Sequence, residues 1–162
     1  MGATFVFSER NGVGEVITDD IANVNMGSVD AAELVPASYP ITRGDNSFGK
    51  YISGKFTGVW TQISNLKFWK SAGALVTGET IKASANAVYA QPSQVDTGDS
   101  DIPTTEGTAL SLNSAEGAAT IEYGVSGVSG YTGNVRLQTQ IAVGASAGAT
   151  NQKTYTLQYD EI

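Results

Sequence analysis

The chain of 162 residues is 41% hydrophobic and only 15% charged, with sixteen Asp and Glu against nine Lys and Arg and a net charge of −7. It has no cysteine and no histidine, which excludes disulfides, thiol nucleophiles, histidine-based triads and zinc sites built on those two ligands. The nine cations are scattered along the chain, so we expect no nucleic-acid partner and no membrane partner.

The N-terminal region predicts two strands joined by a tight turn. Thr4–Phe7 and Gly14–Thr18 contain the β-branched and aromatic residues that favour strands. The pair Asn11-Gly12 between them is typical of a turn. Further along, Asp30 precedes two alanines, and Asp is a good helix N-cap. We therefore expect one helical turn over Asp30–Leu34.

The segment of residues 27–47 contains Pro36 and Pro40 and lacks clear alternation of polar and apolar residues. A connection of about 20 residues is unusual inside a domain unless it is functional. We therefore predict a loop or arm at about residues 27–47, called the arm below, that contacts a partner. The alternative is a surface connection packed on its own domain.

The candidate partner-contact residues on the arm are Tyr39, Arg43 and Asp45. Arg43-Gly44-Asp45 is also an integrin-type tripeptide, but such short matches arise often by chance. Gly-Asp-Asn is ordinary turn chemistry, so we predict a turn over Arg43–Asn46.

The stretch Lys50–Lys70 predicts two strands. Ile52, Phe56 and Trp60 share one face of the first, and Leu66 and Phe68 share one face of the second. This pattern indicates that both strands contribute to a buried core.

Two residues of the second strand depart from its pattern. Ile63 is out of phase with the other apolar residues, which predicts a β-bulge near Ser64–Asn65. Trp69 lies on the opposite face and is expected to be exposed. An exposed Trp is a good anchor for a protein partner, so Trp69 is a fourth candidate contact residue.

Three carboxylates fall within six residues, at Asp96, Asp99 and Asp101. Oxygen ligands at that density are suited to Ca²⁺, so these three form the candidate metal site. Their spacing is not that of an EF-hand loop, and Asp is common in turns. The alternative is a solvated acidic turn around Thr97-Gly98-Asp99. We predict no organic cofactor.

The rest of the chain predicts further short strands with a turn at Ser129-Gly130. The last three strands alternate with period two, which predicts one face on a core and the other in water. The predicted strands are Thr80–Val88, Thr108–Leu112, Ala119–Val125, Asn134–Val143 and Lys153–Tyr159.

Short strands at this spacing predict an all-β fold, an antiparallel β-sandwich or jelly roll that forms a single domain over residues 1–162. Hydrolysis by a carboxylate pair is the common enzyme chemistry left open, and it needs both carboxyls in a cleft. Glu122 falls on an outward strand face, and Asp160-Glu161 follows the last strand. We therefore predict no catalytic residue and no enzyme.

Asn46–Gly58, running into Ile63–Lys70, resembles small virion proteins of tailed bacteriophages. Two further segments, Asp101–Thr105 and Tyr155–Glu161, are also similar to proteins of that group. The resemblance covers most of the chain from Asn23 onward and includes no catalytic motif. It implies a β-sandwich that decorates a capsid or belongs to a tail, held by contacts with other virion chains.

On that resemblance we expect a capsid decoration, or cement, protein that is made in the host cytoplasm and located in the virion. Its partners would be the major capsid protein and further copies of itself, with a trimer as the natural symmetric form. The alternatives are a tail-tube, baseplate or fibre subunit, and a carbohydrate-binding module. In the last, Tyr51, Trp60, Trp69 and Tyr89 would form an aromatic platform for a sugar.

Overall fold

The computed structural model describes residues 2–112, 121–122, 128–148 and 150–162. Within these residues eleven strands form two antiparallel sheets, which confirms the predicted all-β sandwich. The strands are β1 (Ala3–Asn11), β2 (Val16–Asp19), β3 (Lys50–Gly58), β4 (Gln62–Ala72), β5 (Glu79–Ser84), β6 (Ser100–Asp101), β7 (Leu110–Ser111), β8 (Ile121–Glu122), β9 (Val128–Tyr131), β10 (Val135–Ile141) and β11 (Thr154–Glu161). A 3₁₀ helix spans Glu106–Thr108. No helix in the described ranges is long and apolar enough to cross a bilayer.

The larger sheet, sheet A, has the strand order β2-β1-β3-β10-β5-β6. Strand β1 pairs antiparallel with β3 so that Phe5 lies opposite Phe56 and Glu9 opposite Ile52. Directly paired residues point to the same face. The inner face of sheet A is therefore apolar in its middle and carries the carboxylate of Glu9 near one end of β1.

The smaller sheet, sheet B, has the order β11-β4-β7, with β8 also paired to β4. Lys67 pairs with Gln158 and Ser64 with Asp160, so β4 carries one residue more than β11 over that interval. Asn65 has a positive φ of 52°. The predicted bulge is confirmed, and it explains why Ile63 is buried although it is out of phase.

The core lies between the two sheets and is built from the residues that alternate inward. Phe56 makes an edge-to-face contact with Tyr159, with 4.8 Å between the ring centroids, and Phe68 stacks on Tyr155, with 5.7 Å between the centroids. Each such side chain contributes about 1.5–3 kcal/mol when it leaves water. The buried members are Ile21, Ile52, Phe56, Trp60, Ile63, Leu66, Phe68, Ile81, Ala83, Ile102, Leu112, Val135 and Leu137.

Strand β3 is paired along both edges. Strand β1 covers one edge, while β10 and β9 share the other. Thr132 fills the gap between them: its amide donates to the Gly54 carbonyl at 2.9 Å, and its Oγ1 accepts from the Gly54 amide at 2.9 Å. The predicted turn at Ser129-Gly130 is wrong, because both residues belong to β9.

The outer face of sheet A is covered by the irregular segment of residues 85–99, called the strap below. The expectation that the polar face of the predicted strand Asn134–Val143 lies in water is wrong for Asn134 and Gln138, which are buried. Gln138 Nε2 donates to the carbonyls of Ser47 at 3.1 Å and Val95 at 2.9 Å. The arm and the strap thus provide the hydrogen bonds that a buried amide requires.

Two predicted elements differ from the structure. The helical turn expected over Asp30–Leu34 is absent, and Glu33 has a positive φ of 45°. Asp30 does not cap a helix, because its Oδ2 accepts from the Gly12 amide at 2.8 Å. The strand predicted at Ala119–Val125 is described only at Ile121–Glu122, where β8 pairs with β4, and its other residues lie outside the described ranges.

Candidate interaction surface of the hairpin, the arm and the strap

Three segments meet on one side of the sandwich: the arm, the strap and residues 12–20, called the hairpin below. The hairpin comprises the loop after β1, strand β2 and Asp20. Asp30 of the arm accepts from the Gly12 amide at 2.8 Å, and Tyr89 Oη of the strap donates to the Gly12 carbonyl at 2.6 Å. The loop of the hairpin is therefore held by both neighbours.

The hairpin is also fixed to sheet A by two charged contacts. Glu15 forms an ion pair with Arg10 of β1. Asp19 accepts from Ser8 Oγ at 2.7 Å and pairs with Lys55, while Tyr131 Oη donates to it at 3.2 Å. Partial burial acts to raise the pKa of Asp19, but hydrogen bonds from Lys55 and Ser8 outweigh it and lower the pKa.

The arm and the strap are joined by a reciprocal pair of side-chain amides. Asn46 Nδ2 donates to the Gln94 carbonyl at 3.0 Å, and Gln94 Nε2 donates to the Asn46 carbonyl at 2.8 Å. The Gly49 amide donates to the Ser93 carbonyl at 3.1 Å just beyond the arm. These bonds replace the ladder that a regular strand pair would have.

Lys50 ties the arm to sheet A from inside. Its buried Nζ donates to the carboxylate of Glu9 and to the carbonyl of Ala31. Burial raises the pKa of Glu9 above its ordinary value, although Lys50 acts in the opposite direction. Lifting the arm would remove one of the two groups that compensate a buried ammonium.

The strap is fastened to β10 by a bidentate ion pair. Arg136 Nε donates to Asp99 Oδ2 at 2.8 Å, and Arg136 Nη2 donates to Asp99 Oδ1 at 2.6 Å. Burial acts to raise the pKa of Asp99, but the hydrogen bonds from Arg136 and Thr97 prevail and lower it. The Asp99 carboxylate raises the pKa of Arg136 in turn.

The three carboxylates of the candidate metal site are not brought together. Asp99 is held by Arg136, and Asp101 pairs with Lys82 at 2.7 Å. Asp96 Oδ1 accepts from the Gly98 amide at 2.9 Å, which is a local acidic turn. Across the ranges that the structure describes, no three acidic side chains are grouped as metal ligands.

Exposed hydrophobic side chains are concentrated on these three segments. Together the hairpin, the arm and the strap make up 45 of the 147 residues that the structure describes. They nevertheless carry seven of the eleven large hydrophobic side chains that are exposed in the described residues. The seven are Val13, Val16, Ile17, Val35, Tyr39, Val88 and Val95. Because large exposed apolar areas mark interaction sites, we take these three connected segments as the candidate interaction surface.

The net charge is concentrated in the same place. The three segments contain eight acidic residues and a single cation, Arg43, whereas the rest of the chain contains eight of each sign. Burial, followed by the nearby charges of Asp30 and Glu15, raises the pKa of Tyr89 to about 12. Three of the eight acids pair with cations of sheet A, which are Arg10, Lys55 and Arg136. The surface is therefore apolar, and its remaining negative charge comes from the other five acids.

The predicted partner-contact residues divide between two places. Tyr39, Arg43 and Asp45 are exposed on the arm, and Gly44, with a φ of +89°, donates to the Ile141 carbonyl at 2.8 Å. Trp69 lies apart from them on the outer face of sheet B, where it is half-buried and pairs in register with Thr156. The structure does not bring Trp69 to the arm.

The aliphatic residues of the hairpin and the strap were not predicted as contact residues. The signal for Val16 and Ile17 lies in the sequence, because two adjacent aliphatic residues in one strand point to opposite faces. One of them is then exposed unless both faces are covered. No comparable signal distinguishes Val88 and Val95, whose exposure depends on the path of the strap.

An open cleft of about 410 Å³ lies between the β4–β5 and β10–β11 connections. It is lined by Leu75, Val76, Thr77, Ser146, Ala147 and Gly148. None of these six side chains is an acid or a base, so this cleft has no pair of carboxyls of the kind that hydrolysis requires.

Comparisons with known proteins give no match: no family model fits the sequence, no curated protein is similar in sequence, and no solved structure is similar to the fold.

Proposed function

We propose that this protein is a structural protein of a tailed-phage virion, a capsid decoration protein that binds the assembled shell and catalyses no reaction. The observation that carries the proposal is the surface on which exposed hydrophobic side chains and the net charge coincide. The resemblance of Asn46–Gly58 and Ile63–Lys70 to small virion proteins suggests the partners, which are other virion chains and above all the major capsid protein.

The mechanism is mass action. A protein that binds the assembled shell and not its separated subunits stabilises the shell by the free energy of that binding. Tyr39, Arg43 and Asp45 on the arm are the first contacts that we assign, because they are exposed on a segment fastened to the sandwich by Lys50 and Asn46. Several copies around a symmetry axis of the shell would bridge neighbouring subunits.

Empty expanded shells incubated with the purified protein test this proposal. We expect the protein to sediment with the shells and to raise their melting temperature in calorimetry. The variant Tyr39→Ser should bind more weakly, and the matched control Val59→Ser should bind like the wild type, because Val59 is exposed beyond the end of β3 that lies opposite Lys50 and the arm. Absence of both binding and the thermal shift would contradict the role.

Electron microscopy of labelled virions separates the capsid from the alternative location. Label on the capsid exterior supports a decoration protein, whereas label on the tail supports the second candidate, a tail-tube, baseplate or fibre subunit. The aromatic platform expected for a carbohydrate-binding module is not formed, because Tyr51 and Trp60 are buried and Trp69 lies on the outer face of sheet B. A module of this kind, the third candidate, would have to bind through Trp69. A glycan array without hits, or with hits that survive Trp69→Ala, argues against it.

A further inference from the structure

Among the residues that the structure describes, strand β2 is an edge strand of sheet A, because it is hydrogen-bonded there only to β1. An edge strand presents a row of backbone amides and carbonyls that are able to pair with another chain. Natural proteins protect such edges with very short strands, charged side chains (above all lysine), proline or a bulge. Strand β2 is short, but it contains neither lysine nor proline, and its single charge, Asp19, pairs with Lys55.

The side chains of β2 add apolar area to this edge. Val16 is 59% exposed and Ile17 is 42% exposed. Consecutive strand residues point to opposite faces, so the edge has an aliphatic contact on each side. The edge at the other end of sheet A differs, because β6 consists of Ser100 and Asp101, and Asp101 pairs with Lys82.

Acidic side chains bracket β2 at both of its ends. Glu15 precedes the strand and pairs with Arg10, whereas Asp19 ends it and pairs with Lys55. Asp20 follows the strand. Asp20 is exposed and forms no ion pair within the described part of the chain. Pairing of two β2 edges would bring these acids of two copies together, and like charges across an interface repel. The charge therefore disfavours a second copy and favours a basic partner.

We propose that the β2 edge binds an extended segment of a partner protein that adds to sheet A as a strand, with aliphatic residues in its middle and lysine or arginine at its ends. In such complexes the backbone hydrogen bonds give affinity and the side-chain contacts give specificity. The aliphatic residues would contact Val16 and Ile17. One cation would lie near Asp20, and the other would share the partly exposed Glu15 carboxylate with Arg10. The identity of the partner as a virion chain rests on the proposed function; the chemistry of the segment does not.

A displayed library of random peptides of about twelve residues, long enough for one strand, tests the edge directly against the immobilised full-length protein. We expect the selected peptides to share aliphatic residues flanked by lysine or arginine. Hydrogen exchange should show new protection at residues 16–19 when a selected peptide is bound. A library without enrichment, selected peptides that lack basic residues, or protection confined to another part of the chain would overturn the proposal.

The double variant Val16→Thr/Ile17→Thr keeps β-branched residues and removes apolar contact. We expect it to weaken binding of the selected peptide about tenfold, since two partly exposed aliphatic contacts are lost. Asp20→Asn and added salt should each weaken binding, and the matched control Ile162→Thr, at another exposed aliphatic residue, should not. A circular-dichroism melt shows whether the double variant is folded. Unchanged peptide binding by the folded double variant would refute the proposal that the β2 edge binds the peptide.

The same variant keeps this proposal distinct from the virion role. If Val16→Thr/Ile17→Thr still binds shells as tightly as the wild type, the edge is not the docking element and the virion role stands. If the peptide binds the wild type as expected but shells do not, the edge stands and the virion role fails.

Discussion

The buried ion pair that holds the arm gives the sharpest prediction. Replacing Lys50 by Met keeps a side chain of similar volume but removes the ammonium that contacts Glu9 and the Ala31 carbonyl. Both Lys50 and Glu9 are fully buried. Breaking a buried pair by removing one partner costs about 3–5 kcal/mol, because the remaining charge stays in a poorly solvated place. We expect Lys50→Met to lower the free energy of unfolding by that amount.

The double variant Glu9→Leu/Lys50→Met distinguishes the pair from simple packing. Replacing both members by apolar residues removes the orphaned charge, and such replacements are often neutral or stabilising. We therefore expect the double variant to lie within about 2 kcal/mol of the wild type, well above Lys50→Met alone. Additive single-variant effects would show that the ion pair does not hold the arm.

The free energy of unfolding should depend on pH through Glu9, and the direction of this dependence follows from its pKa. The pKa of Glu9 is raised in the folded protein by burial, so its ionised form opposes folding above that pKa. The cost disappears as the pH falls through the folded pKa towards the ordinary value of 4.5. In Lys50→Met the stabilising cation is absent, so the defect should shrink in acid. Urea unfolding at neutral and acidic pH measures this difference, and a defect that grows in acid would refute the reasoning.

Three further predictions concern other parts of the fold. Asp99→Asn should lower the free energy of unfolding by about 1.5–3 kcal/mol, measured in urea, because it removes a charge-assisted bond to Arg136. The pKa of Asp99 is lowered in the folded protein, so the wild type should lose this stabilisation only below pH 3.8 in an acid titration. Phe56→Ala should lower stability by about 3–5 kcal/mol through a cavity between the sheets, seen as a lower midpoint in urea. Gly73→Ala should lower the melting temperature, because Gly73 has a φ of +85° and an added Cβ would lie 2.1 Å from the Gln152 carbonyl.

Much of the sandwich was predictable because one-sided burial leaves a period-two pattern in the chain. The inward residues Ile52, Phe56, Leu66 and Phe68 follow from that pattern, and the bulge follows from the phase of Ile63. The period-two pattern depends on one face of a sheet being buried, so it can be read from the sequence without knowing which element packs against that face.

The errors arise where distant segments decide the outcome. Gln138 is polar and would face water in a bare sheet, but the strap and the arm cover it and accept its hydrogen bonds. Asp99 resembles a metal ligand in the sequence, although Arg136, 37 residues further along, engages both of its oxygens. Asp30 resembles a helix cap and instead binds the Gly12 amide. In each case the partner lies far away in sequence.

The reciprocal amide bonds between Asn46 and Gln94 have a consequence for the speed of recognition. They couple two irregular segments that would otherwise fluctuate separately, so an approaching partner meets a shape that is already assembled. Little conformational entropy remains to be lost at the encounter. The association rate should then be governed by diffusion and by the attraction between opposite charges, and it should fall as ionic strength rises.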